Sequence, residues 1–101
     1  MKALLITPES RSIEQVDIGD LDDIKELIGF DTIESDPVGE EGDRIFFDEE
    51  CFLKGSTGRF QVDTLVPISG KAVLVGSPDE GVTLSDVAMS VDELLGRITY
   101  S

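Results

Sequence analysis

Gly70-Lys71-Ala72-Val73-Leu74-Val75-Gly76 is an apolar run closed at both ends by glycine. A strand with water on one face alternates apolar and polar residues; a run without alternation predicts a strand covered on both faces. Ala3-Leu4-Leu5-Ile6, stopped by Thr7-Pro8, has the same character. These two runs are expected side by side at the centre of one sheet. Lys2 before the first run gives it a superficial likeness to a signal peptide. Its four apolar residues fall well short of a secretory core or a membrane span, so it reads as a buried strand.

The flanking elements follow from local chemistry. Ile13-Glu14-Gln15-Val16-Asp17-Ile18 suits a second strand hairpinned to the first. Asp20 is an N-cap, Asp22 and Asp23 sit in a first helical turn, and Leu21, Ile24, Leu27 and Ile28 recur at helical spacing up to Gly29. Phe30 to Ser35 is expected as a polar edge strand ended by Pro37, and Arg44-Ile45-Phe46-Phe47-Asp48 as a further strand. Phe60-Gln61-Val62 fits either a brief extended piece or a helical turn. Ser90-Val91-Asp92-Glu93 has capping-box spacing ahead of Leu94, Leu95 and Gly96, and Arg97 to Tyr100 should return as a strand. Together they predict an α+β fold: a small single domain over residues 1–101, a curved and mostly antiparallel sheet with one main helix and one short C-terminal helix.

Charge is distributed unevenly. Between Glu9 and Glu50 sixteen carboxylates face only Arg11, Lys25 and Arg44, a net of −13 out of −14 for the chain. Such a field repels nucleic acid and anionic membranes and favours encounter with basic surfaces. Adaptation to high salt would spread acids over the whole surface, whereas these concentrate in the first half. The 40% apolar content separates the chain from acidic disordered sequences.

Chemistry that needs histidine is excluded, because the chain has none; serine and cysteine triads and common zinc sites lose an essential member. Cys51, the one cysteine, precludes an intramolecular disulfide and fits a reducing, cytoplasmic setting. Its neighbours Asp48, Glu49 and Glu50 oppose thiolate formation, so it reads as structural. Asp48-Glu49-Glu50 reads as a solvated turn and not as an acid/base pair. Asp20, Asp22 and Asp23 lack the downstream glycine and glutamate of a calcium loop. No catalytic residue, metal or cofactor is expected, and the chain reads as a binding protein and not an enzyme.

Several blocks resemble the domain-of-unknown-function family 3846 of bacteria, plasmids and phages. They are Met1 to Glu9, Asp20-Leu21-Asp22-Asp23-Ile24, Leu27-Ile28-Gly29, Phe47-Asp48-Glu49-Glu50, Gly70 to Gly76 and a short helix before the last strand. Cys51-Phe52-Leu53 departs from the family pattern, which has a glycine there. The resemblance implies a setting and no mechanism: mobile elements, in which small acidic proteins often inhibit host defence or nucleic-acid machinery.

The leading expectation is an acidic module that binds a basic host protein of the nucleic-acid-binding kind in a bacterial cytoplasm. Its contacts would be Asp22, Asp23, Glu26, Glu40, Glu41, Asp48, Glu49 and Glu50, imitating a row of phosphates. Neither nucleic acid nor membrane would be touched directly. The alternative is a small anionic ligand, such as a nucleotide, held by Lys54, Ser56, Thr57 and Arg59 in the loop Gly55 to Arg59. Ile68-Ser69-Gly70-Lys71 shares only its Gly-Lys pair with a Walker motif. A third reading, an oligomer-forming accessory protein, requires Phe30, Phe46 or Phe52 to be exposed.

Overall fold

The two glycine- and proline-bounded runs are neighbours in a five-stranded sheet. The computed structural model describes residues 1–29, 33–39, 41–48, 58–63, 67–77, 79 and 83–100. Its elements are β1 (Lys2–Thr7), β2 (Ser12–Asp17), α1 (Leu21–Ile28), β3 (Ile33–Val38), β4 (Asp43–Asp48), β5 (Arg59–Val62), β6 (Ile68–Ser69), β7 (Ala72–Gly76), α2 (Val91–Leu95) and β8 (Ile98–Tyr100). The large sheet has the order β2-β1-β7-β4-β3, and a second sheet has the order β6-β5-β8. All pairings are antiparallel.

Both faces of the large sheet are covered, which is why β1 and β7 do not alternate. Ala3, Phe46, Val73 and Val75 pack with Ile18 and with Ile24 and Ile28 of α1. Leu4, Ile6, Ile45, Ala72 and Leu74 project the other way, onto Phe60 and Val62 of β5, Ile68 of β6 and Leu94 of α2. The molecule is therefore three layers, α1 over the large sheet over the small sheet and α2, with a radius of gyration of 12.0 Å.

The α+β class, the β1–β2 hairpin, the β1–β7 pairing and both helices agree with the sequence reading. The Asp20 side chain accepts from the Asp23 N–H, and Gly29, at φ 89°, closes α1. Ser90 caps α2 through the Glu93 N–H. Three points differ. A second sheet exists where one curved sheet was expected, because residues 58–62 and 67–69 pair with each other and with the C-terminal strand. The edge strand β3 lies at Ile33–Val38 and runs through Pro37, which an edge tolerates because its missing N–H faces away from the ladder. Phe30 to Thr32, the rest of that predicted strand, lie outside the described residues. Phe46 is buried, so it offers no apolar patch for the oligomer reading, and Phe30 and Phe52 lie outside the described residues.

Candidate functional site

The carboxylates expected to form one surface divide between two layers. Asp22 and Glu26 are exposed on α1. Asp23 lies on the same helix, yet it already has work in the fold: its Oδ2 accepts the Gly19 N–H at 2.6 Å. Glu41 is exposed in the β3–β4 turn. Asp48 contradicts its assignment as a surface contact, being only 3% exposed. It ends β4 two residues after Phe46 and so shares the face that α1 covers. Glu41 precedes β4 and Asp48 closes it, and a six-residue strand separates such positions by roughly 17 Å. Glu40, Glu49 and Glu50 lie outside the described residues. A single row of phosphate-like charges is thus not what the described acids form.

A cleft of about 370 Å³ opens on the layer opposite α1, walled by Val38 and Met89 and lined by Glu41, Asp43, Asp63, Glu93 and Arg97. Asp43 is buried, and its two oxygens accept the N–H groups of Ala88 and Met89 at 2.8 and 2.9 Å. Arg97 pairs with Asp63 at 3.5 Å, with both side chains about 40% exposed, a geometry worth at most about 1 kcal/mol. Among the described lining residues, four carboxylates against one engaged guanidinium favour a cationic guest and disfavour phosphate. The sequence reading assigned Glu93 only to capping and did not single out Asp63 or Arg97; contact between residues 39, 63, 93 and 97 depends on the second sheet. For the anion-binding alternative, Lys54, Ser56 and Thr57 lie outside the described residues, and Arg59 opens β5 with an exposed side chain.

Few cations answer the exposed acids. Among the described residues no lysine or arginine lies within ion-pair distance of Asp22, Asp23, Glu26 or Glu41. Arg11 is drawn over the ring of Tyr100, 6.0 Å from its centroid. Burial pushes the Tyr100 phenol above its ordinary pKa, a shift that Arg11 opposes. No helix among the described residues is long and apolar enough to cross a membrane. Comparison with protein-family models, curated proteins and solved structures returned no match to this chain.

Proposed function

We propose that this protein is a binding module for a basic protein partner, engaged through its exposed carboxylates. The observation that carries this reading is that, among the described residues, no lysine or arginine lies within ion-pair distance of Asp22, Glu26 or Glu41, in a chain of net charge −14. Unanswered surface charge is a standing attraction for a basic patch, and it accelerates encounter at low ionic strength. Lysine and arginine side chains that normally neutralise phosphates would meet Asp22, Glu26 and Glu41 instead. In the mobile-element setting that the family resemblance implies, the partner is a host defence or DNA- or RNA-processing protein in the cytoplasm, and binding inhibits it. The acids occupy two layers, so the partner reads a charged body more than one flat phosphate ladder.

The test is a pull-down from bacterial lysate with the tagged chain, eluted by a salt gradient, beside a variant carrying Asp22→Lys, Glu26→Lys and Glu41→Lys. The expected result is a stoichiometric nucleic-acid-binding protein that moderate salt releases, duplex DNA or RNA displaces, and the variant fails to hold. Equal retention by the variant would sink the reading.

A further inference from the structure

The two edges of the large sheet are chemically different. Met1 and Ile18 exchange both backbone hydrogen bonds, the Met1 amine donating to Ile18 O at 2.7 Å and the Ile18 N–H to Met1 O at 3.0 Å. Bonded and non-bonded pairs alternate along an antiparallel ladder. With the register Lys2↔Asp17 to Thr7↔Ser12, the bonded pairs are therefore Ala3–Val16, Leu5–Glu14 and Thr7–Ser12. The peptide groups of Ile13, Gln15 and Asp17 point away from β1. Lys2 confirms this phase, since its N–H and C=O are used on the opposite side, by the Asp86 carboxylate and the Val87 N–H.

Carrying the same alternation across β7 and β4 makes Ile33, Ser35 and Pro37 the outward residues of β3. That edge is closed. Pro37 has no N–H to give, and the Ser35 carbonyl already accepts Arg44 Nη2 at 3.0 Å while Arg44 Nε donates to Ser35 Oγ. The edge of β2 is guarded only by charge, through the exposed Glu14 and Asp17, which disfavours acidic or like-charged strands and leaves a basic one admissible. It contains no proline or lysine, its six-residue register is unbroken by a bulge, and among the described residues no hydrogen bond reaches its outward groups. The strands of the small sheet are four residues or fewer.

We infer that the outer edge of β2 is a further contact of the partner, in addition to the charge contacts at Asp22, Glu26 and Glu41, a basic extended segment of it adding as a sixth strand of the large sheet; this rests on the proposed binding of a basic partner. Charge complementarity selects the occupant. Glu14 and Asp17 are exposed on opposite faces of β2; Arg11 lies over Tyr100, and Lys2, the β1 residue across from Asp17, is not within ion-pair distance of it among the described residues. A second copy is disfavoured, because edge-to-edge pairing would join two bodies of net charge −14 with no basic residue on either β2. Register sets the pattern. Val16 and Ile13 are half-buried, each at the margin of a different core cluster. An antiparallel partner strand read from the position opposite Asp17 therefore presents basic, apolar, any, basic, apolar. Backbone bonds supply affinity in this mode and alternate side chains supply specificity.

The test uses the full chain and a capped synthetic peptide with Arg-Val-Thr-Arg-Val at its centre. A control peptide of the same charge is N-methylated at alternate residues, so that it cannot pair. The expected result is hydrogen exchange slowed at least tenfold at the amides of Ile13, Gln15 and Asp17, with binding at least tenfold weaker for the methylated peptide. The chain variant Gln15→Pro removes one outward donor without touching the β1 ladder, and it should weaken binding to the same degree. Equal binding of both peptides, or unchanged exchange at the three amides, overturns the strand-addition inference and leaves the basic-partner reading in place. Binding of neither peptide also overturns it. The broader reading then stands or falls on the lysate experiment, which requires no added strand.

Discussion

Asp43 fastens the segment before α2 to the start of β4, and it does so with both carboxylate oxygens. The Met89 N–H is buried, so removing its acceptor leaves a donor without water or protein to satisfy it. Asp43→Ala should cost roughly 1–3 kcal/mol from that donor alone, with a smaller addition from Ala88. Asp43→Asn keeps one acceptor oxygen and should fall between wild type and alanine in a urea denaturation series; an alanine variant as stable as wild type would refute the account. Asp79 has a different role. Its carboxylate accepts the Thr83 hydroxyl at 2.7 Å and the Thr83 N–H at 2.8 Å, which lower its pKa below 3.8, the hydroxyl being the larger cause. A lowered carboxylate contributes stability that is present above 3.8 and lost as pH falls through the folded value. By NMR titration, Thr83→Val should move the Asp79 midpoint upward, and the same midpoint in both proteins would contradict this.

At the scale of elements, α1 depends on its ends. Asp20 accepts the Asp23 N–H at 3.1 Å while Asp23 accepts the Gly19 N–H, so two backbone donors at the helix entrance are satisfied by two acids. Asp20→Ala should cost about 1 kcal/mol, read as a lower denaturation midpoint, and an unchanged midpoint would show that the cap contributes nothing. The Asp20 cap was legible in the sequence because a cap is a local matter of residue type and spacing, whereas the bond from Gly19 to Asp23 was not read from it. The hairpin and the central strands were legible too, since Ala3 to Ile6 and Ala72 to Val75 lack the alternation that a solvated face would impose. Phe60-Gln61-Val62 was not, because three residues carry no distinguishable period and their state is decided by pairing with Ile68–Ser69 and with Ile98–Tyr100. Asp48 was misread for a related reason. Its neighbours Glu49 and Glu50 suggested a solvated turn, whereas its phase with Phe46 turns it toward the α1 face. The β2 edge left only a faint signal: Ile13 to Ile18 contains no proline or lysine, but which peptide groups face outward follows from the ladder and not from residue types.

For the whole molecule, the same charge has opposite consequences for folding and for binding. A domain of net charge −14 and 12.0 Å radius of gyration repels itself. Exposed carboxylates on α1 and in the β3–β4 turn have little local compensation, and the Arg97–Asp63 pair is too exposed to offset them. Salt shortens the Debye length from about 30 Å at 0.01 M to about 8 Å at 0.15 M, which relieves repulsion across the body while sacrificing little attraction. The melting temperature should therefore rise with sodium chloride over that range, and each kcal/mol recovered would appear as about 4–8 °C in a domain of this size. Binding to a basic partner should weaken over the same range, because screening removes the attraction that drives it. These opposite slopes make the pair of measurements decisive: loss of binding in salt cannot then be ascribed to unfolding. A melting temperature that falls as salt is added would mean that attractive pairs dominate the surface, and the exposed acids would no longer be free to recruit a partner.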